Sequence, residues 1–416
     1  MHAHRKTRTG GRLSSNSTAM IQTLAISGYR SLRDLVLPLD RLTLVTGANG
    51  TGKSSLYRAL RLLADAALNS VVASLAREGG LPSTLWAGPE IIGRAVKRGD
   101  YPVEPTAQKK PASLKLGFAA DPYSYSIDLG YPPPPPPTTL FNLDPEIKRE
   151  CIWHGDVYRR AAALADRHNN LVTLPGEKPD EYTILTKGLS PADSMLATIA
   201  DTERAPEMLA VREFIRGWRF YDGFRTDIAS PIRIPQIGTR TPVLNNDGTD
   251  LPAAIETILE IGDDEALTRT IEDAFPGSSL SIEVQVGRFE LKLQQHGLLR
   301  PLSTAELSDG TLRFLLWTAA LLTPRPPGLM VLNEPETSLH PDLLPPLARL
   351  IAAASRHAQV IVVSHAQPLI ESLQQVAGCR HLNLEKSFGE SILSEKSTDS
   401  TENPRFRRPR WQWPSR

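Results

Sequence analysis

The sequence predicts an α/β fold, a mixed β-sheet with an inserted β/α lobe, on three observations. Two short, wholly apolar runs, Leu329-Met330-Val331-Leu332 and Val360-Ile361-Val362-Val363, each end in polar residues. A third apolar run, with Leu42, Leu44 and Val45, enters a glycine-rich loop and then a helical pattern. Strands that are apolar throughout are strands covered on both faces, and ligands collect outside the carboxyl ends of such strands. The length, 416 residues, exceeds the usual single domain and leaves room for an insertion between the first unit and the last strands.

The composition narrows the function classes. Hydrophobic residues at 40% and charged residues at 22% are the balance of a globular chain. The net charge of +1 provides no overall basic field to draw in nucleic acid. No apolar run approaches the length of a membrane span, so no membrane partner is expected. The two cysteines, Cys151 and Cys379, lie far apart and lack metal spacing. They argue against a zinc site or a disulfide framework and point to a reducing cytoplasm.

Taken in order, residues 1–19 read as a disordered leader. They hold His2, His4, Arg5, Lys6, Arg8 and Arg12 and then a polar Ser/Asn/Thr run, with almost nothing to bury. Met20 is an alternative start. Residues 21–26 and 35–39 read as two short strands joined through Gly28-Tyr29-Arg30-Ser31. The third strand leads into Gly47-Ala48-Asn49-Gly50-Thr51-Gly52-Lys53-Ser54, followed by Ser55, with the G-x-x-x-x-G-K-[ST] spacing of a phosphate-binding loop. Leu56, Leu60 and Leu63 then share one helical face over residues 54–63. The strand–loop–helix context explains the motif. Glycines let successive N–H groups turn inward on phosphate oxygens, and the helix start adds its positive dipole end. Lys53 reaches the β- and γ-phosphates of ATP, and the Ser54 hydroxyl ligates Mg2+.

The middle of the chain reads as scaffold. Residues 66–75 continue helically until Gly79-Gly80-Leu81-Pro82, and Leu85-Trp86-Ala87-Gly88 follows. The nearby Gln108 has no assigned role. Residues 114–118 and 123–129 form a hairpin around Asp121-Pro122. The prolines 132–137 form an extended spacer or a segment for a proline-reading partner. Residues 146–153 and 157–164 read as strands, although Ala161 to Ala163 leave the second open to a helical reading. Residues 190–217 read as helical and 218–224 as an aromatic strand. Leu251, Ile255, Ile258 and Leu259 mark a helix, 265–275 another, and the alternation from Leu280 to Leu293 a hairpin turning at Gly287-Arg288.

The last third carries the second cluster of motifs. Glu306-Leu307-Ser308-Asp309-Gly310-Thr311 precedes a helix over 312–322, where Ser308 alone would be an N-cap. The strand 329–332 ends in Asn333-Glu334-Pro335-Glu336, and Thr337-Ser338-Leu339-His340-Pro341 leads to a helix from Asp342. The strand 360–363 ends in Ser364-His365.

Together these blocks have the order Walker A, signature, Walker B, Asp-loop-like segment and switch histidine. Over roughly residues 20–375 that order resembles a P-loop NTPase, the ABC-type ATPase head of the RecF/SMC/OLD-like group. The Leu-Ser-Asp-Gly-Thr signature and Glu-Pro-Glu-x-x-Leu-His-Pro segment are closer to predicted ATPases of this group than to transporter subunits. The resemblance implies one ATPase domain over 20–384, with the insertion at about 65–300. It makes Glu334 the general base on the attacking water and His365 the contact to the γ-phosphate. Arg30 becomes a nucleotide contact. Ser308 and Gly310 would engage the ATP of a second subunit, so two copies would sandwich two ATPs. The group usually has Asp at the position of Asn333, where it holds Mg2+ through water. Asn keeps an oxygen but no charge, and hydrolysis is expected to be slow. Glu336 is either a compensating carboxylate or a surface one. The resemblance also implies coupling to DNA, in repair, maintenance or defence, with a separate effector or nuclease protein. The alternative is an ATP-gated switch that holds a protein partner or toxin. The segment 385–416 ends in Arg405-Phe406-Arg407-Arg408-Pro409-Arg410-Trp411-Gln412-Trp413. It reads as a solvated tail or as a basic–aromatic grip on nucleic acid.

Overall fold

The computed structural model describes residues 19–88, 111–133, 140–141, 143–176, 178, 181–394 and 409–416. Most of the leader, Gln108, four of the spacer prolines and residues 405–408 lie outside them. Strands β1 (Ile21–Tyr29), β2 (Leu32–Pro38) and β3 (Leu42–Gly47) lead into helix α1 (Lys53–Ala67). Helices α2 (Val71–Arg77) and α3 (Gly80–Thr84) follow. Strands β4 (Leu114–Ala120), β5 (Tyr123–Gly130), β6 (Glu146–His154), β7 (Ala163–His168), β8 (Leu171–Pro175) and β9 (Tyr182–Thr186) then run as an antiparallel meander. With β1 and β2 they form one eight-stranded sheet, in the order β2-β1-β4-β5-β6-β7-β8-β9.

After helices α4 (Met195–Thr198) and α5 (Pro206–Arg216), strand β10 (Arg219–Asp222) enters a second sheet. Strand β11 (Gln236–Ile237), helices α6 (Leu251–Ile261) and α7 (Asp264–Ala274), and strands β12 (Ser279–Gln285), β13 (Arg288–Gln294) and β14 (Leu302–Ser303) make a small third sheet with its helical cover. Helix α8 (Asp309–Leu321), strand β15 (Leu329–Asn333), helix α9 (Leu344–Ala354), strand β16 (Gln359–Val363), helix α10 (Gln367–Gln374) and strands β17 (Cys379–Ser387) and β18 (Glu390–Leu393) complete the second sheet. Its order is β10-β15-β16-β3-β17-β18, parallel from β10 through β17.

This six-stranded sheet is covered on both faces, as its apolar strands require. Val45, Val331, Ile361 and Val363 face one core with α1 and the eight-stranded sheet. Leu44, Met330, Leu332, Val360 and Val362 face the other, with α6, α8 and α9. Alternation with period two along each strand divides the side chains between the two cores.

Four local readings are corrected. The helix expected over 66–75 breaks at Asn69, which has φ 56° and exchanges side-chain hydrogen bonds with Asp193 (2.8 Å) and Ser194 (2.9 Å). The strand expected over 157–164 begins only at Ala163. Tyr158 packs edge-on under Trp153 and accepts a 3.0 Å hydrogen bond from Arg149, which draws that segment off the sheet. The helix expected over 190–217 is two short helices, because Asp201 turns the chain by accepting from the N–H groups of Glu203 and Arg204 and Pro206 restarts it. The helix expected from Asp342 starts as a 3-10 turn, Pro341–Leu343, and becomes α-helical at Leu344, where two prolines suit its first turn.

The terminal segment is not a solvated tail over residues 409–416. Trp411 packs on Trp153 and Trp413, and Lys115 lies over the Trp413 ring. Arg416 makes a two-pronged ion pair with Asp128, at 2.7 and 2.8 Å. These aromatics are engaged by the chain's own eight-stranded sheet. β17 and β18 also carry the six-stranded sheet past residue 384.

Candidate nucleotide site

The glycine-rich loop closes between β3 and α1. Gly47 (φ 148°) and Gly52 (φ 103°) hold backbone conformations that favour glycine. A Cβ on either would also strike β17 or β18, on the Leu384 carbonyl or the Ser391 hydroxyl. The hairpin of β17 and β18 therefore forms a wall of the loop. Inside the loop, Thr51 Oγ1 donates to the Ala48 carbonyl at 2.8 Å. The buried Lys53 Nζ donates to the carbonyls of Gly47 (2.5 Å) and Ala48 (3.1 Å). Ser54, in the first turn of α1, is exposed.

The loop opens into a cleft of about 900 Å³. Asn49, Gly50, Gly52, Lys53, Ser54 and Ser55 form its floor, and Glu334 reaches it from the end of β15. Arg30 and Ser31 line one rim. Arg30 occupies the turn between β1 and β2 at φ 50°, with its N–H bonded to the Thr84 carbonyl (2.7 Å) and Nη2 on Glu78 (2.8 Å). The Tyr29 hydroxyl donates to the same Glu78 carboxylate at 2.6 Å, and burial together with that carboxylate pushes its pKa up. Arg30 is thus a cleft arginine held in an ordered cluster. Leu85, Trp86, Lys386, Phe388 and Gly389 also line the cleft, with Leu85 bridged to Tyr29 beside Arg30. Two aromatics, Trp86 and Phe388, thus line a space of nucleotide size. Sequence reasoning noted Trp86 without a role and placed Phe388 in the tail.

The strand ends of β15 and β16 meet beside this cleft. Glu334 has φ 49°, an uncommon conformation for a residue with a side chain, and its N–H is bonded to the Val363 carbonyl at 2.8 Å. His365 Nδ1 lies 3.7 Å from Glu334 Oε1 and 3.3 Å from Glu336 Oε1. Glu336 is buried, so the surface-carboxylate reading is corrected. Its Oε1 accepts from Ser364 Oγ (2.7 Å), His365 N (2.9 Å) and Ala366 N (3.1 Å). It fixes the loop that carries His365, a role its place in the motif did not signal. Asn333 donates from Nδ2 to Asp222 Oδ1 at 3.3 Å.

Ser308 and Gly310 are not among the residues lining the cleft. Ser308 is exposed and caps α8, accepting from Thr311 N at 3.1 Å. Its loop is held by Arg233, which sequence reasoning passed over. Arg233 Nη1 donates to the carbonyls of Thr304, Ala305 (both 3.2 Å) and Leu307 (2.9 Å), and Nη2 pairs with Asp309 at 2.6 Å.

The donor set suits a nucleotide with Mg2+. The loop gives N–H groups and a lysine to phosphate, and Ser54 and Asn333 are oxygen donors of the kind a hard cation takes.

Residues 42–371 match the family model described as "AAA domain, putative AbiEii toxin, Type IV TA system". The chain belongs to this family. It is a P-loop ATPase of the AAA type, and the expected α/β fold class holds. No curated protein matches the sequence. Among solved structures it is similar to an SMC head bound to the C-winged helix domain of ScpA, at 13% identity over 90% of this chain and 97% of that one, with TM-score 0.48. It is also similar to an SMC head with an extended coiled coil, bound to the C-terminal domain of ScpA, from Pyrococcus furiosus. That match has 12% identity, coverage of 90% and 96%, and TM-score 0.45. The SMC head domain from Thermotoga maritima is similar at 14% identity, coverage of 90% and 98%, and TM-score 0.40. No helix among the described residues is long and apolar enough to cross a membrane.

Proposed function

We propose that the chain binds ATP in this cleft and hydrolyses it, closing as a homodimer around two ATPs. The observation that carries the reading is that Lys53, Ser54 and Glu334 line one cleft of nucleotide size at the carboxyl ends of parallel strands. Lys53 exchanges the loop carbonyls it now bonds for phosphate oxygens. The loop N–H groups and the start of α1 receive the remaining charge. Ser54 and Asn333 would hold Mg2+, which when bound neutralises phosphate charge. Glu334, half-exposed at the cleft wall, orients the attacking water and takes its proton. Glu336 keeps His365 beside it as a γ-phosphate contact. Ser308 and Gly310, outside their own cleft, serve the ATP of the second copy. Arg30 contacts the nucleotide from the rim.

We place the protein in the cytoplasm and couple its cycle to DNA, with a separate effector or nuclease, on the resemblance of its ordered motifs. A second reading, an ATP-gated switch for a protein partner or toxin with little hydrolysis, is favoured by one observation. The Walker B position carries the uncharged Asn333.

The test is steady-state ATP hydrolysis against protein concentration, with and without DNA, for the wild type and Glu334→Gln. The dimeric ATPase predicts a specific activity that rises with concentration, and a loss of about 10²–10⁴-fold in the variant with ATP binding kept. Stimulation by DNA supports DNA coupling. Tight ATP binding without turnover establishes the switch instead.

A further inference from the structure

Asn333 leaves the Walker B position without a charge, but its neighbour across the sheet carries one. β10 and β15 run parallel in register, and Asp222 stands opposite Asn333 at the last paired position. Residues opposed in this way project on the same face of a sheet. The Asn333 amide donates to Asp222 Oδ1 at 3.3 Å. An amide that turns its NH₂ toward a carboxylate leaves its carbonyl oxygen on the other side, free to accept or to ligate. Asp222 is exposed and has no other hydrogen-bond partner among the described residues. The α1 side of this pair is marked by Tyr57, one turn beyond Ser54. Its buried hydroxyl lacks a hydrogen-bond partner, and burial and then the Asp222 charge push its pKa up. Tyr57 also packs edge-on against Phe220 of β10 at 5.9 Å, and Phe220, two residues before Asp222, projects on the same face of the sheet.

We propose that Asp222 supplies, from the adjacent strand, the negative charge at the magnesium end of the site that Asn333 lacks. The pair works as an amide–carboxylate unit, with Asn333 offering the oxygen and Asp222 the charge, directly or through a metal-bound water. This arrangement also explains the amide. Two carboxylates in these positions would repel in the metal-free protein, whereas Asn333 and Asp222 are joined by a hydrogen bond. Asp222 is here a positioning and charge-supplying residue. The inference rests on the reading of the cleft as a site for ATP with Mg2+.

The experiment measures binding of a fluorescent ATP analogue to the full chain while Mg2+ is titrated, with an EDTA reference. The proteins are the wild type, Asp222→Asn, Asn333→Asp and the double variant. For Asp222→Asn the Mg2+ midpoint rises about 10-fold or more, as expected for loss of a carboxylate beside a metal ligand, and binding in EDTA stays the same. In the double variant the charge is restored on the other strand, and the midpoint returns to within about threefold of the wild type. A midpoint unchanged by Asp222→Asn overturns the proposal. If Asp222→Asn does not fold, the double variant decides, and a midpoint still raised 10-fold overturns it. A wild type that binds no nucleotide overturns the cleft reading itself, and the inference with it. A wild type whose nucleotide binding responds to Mg2+ separates the two failures.

Discussion

A glutamate buried in the eight-stranded sheet and two carboxylates at the strand ends of the six-stranded sheet are treated in opposite ways. In the first, Glu150 and Arg167 have side-chain exposures of 0% and 0% and pair at 2.8 Å. Both side chains are further bonded inside the protein. Tyr125 Oη, Ser194 Oγ and Met195 N donate to Glu150, and Arg167 donates to the carbonyls of Asn169, Ser190 and Asp193. In the second, Glu334 and Asp222 stand at strand ends, open to solvent, with valences unmet. A fully satisfied buried pair holds a fold together, whereas partly satisfied carboxylates at a cleft are available to a ligand. Carboxylates stand in both places. Only the hydrogen-bond accounting separates structure from chemistry.

The contrast is sharpened most strongly by Glu150→Ala. Removing one partner leaves Arg167 buried and uncompensated, at a cost of about 3–5 kcal/mol. Urea denaturation should show that loss, while the protein that remains folded binds ATP like the wild type. Equal loss of ATP affinity at low urea would mean that the two sheets are not separable in this way.

A smaller effect is expected at Arg233, which orders the loop of Ser308 without lining the cleft. Arg233→Ala should leave ATP binding by the single chain unchanged and weaken ATP-driven dimerisation about 10-fold, the equivalent of ~1.4 kcal/mol. Sedimentation with and without ATP reads this, and an unaltered dimer would remove the loop from the interface.

The smallest effect concerns the thiols. Burial pushes Cys379 up to about 11, the Leu44 backbone offsetting this in part. Burial also raises Cys151, with Asp166 adding to it. The unfolded Cys379 thiol, at its ordinary 9.0, releases its proton before the folded one. Folded stability therefore falls as pH rises from about 9 to about 11, and Cys379→Ser should flatten that part of a melting-temperature profile. At pH 8 a thiol reagent should react at least about tenfold more slowly with the folded than with the unfolded protein.

Much of the central sheet was legible because its strands are continuous apolar runs. β3, β15 and β16 fall where their apolar runs place them, and α1 follows β3 where its periodicity places it. Legibility failed where tertiary contacts override local pattern. Tyr158 leaves the sheet to meet Trp153 and Arg149, and Asn69 interrupts a helix to bond Asp193 and Ser194. The same holds at the cleft. Trp86 and Phe388 sit in short segments without periodicity, far apart in the chain, and only folding brings both to the lining of one cleft.

What the amino-acid order determined by itself is the phosphate loop and the motifs at the strand ends. These depend on contiguous backbone: glycine at strained positions, a lysine one residue past the last glycine, and polar residues where an apolar strand stops. What only the tertiary structure decided is which charges act together. Asp222 and Asn333 are 111 positions apart and meet through the register of a parallel pair. Arg233 reaches the loop of Ser308 across more than seventy residues. Parallel pairing is non-local, since its partners are joined by long crossovers, and Arg233 and Asp309 meet only through a side chain that spans 76 positions, so no short window of sequence contains both members of either pair.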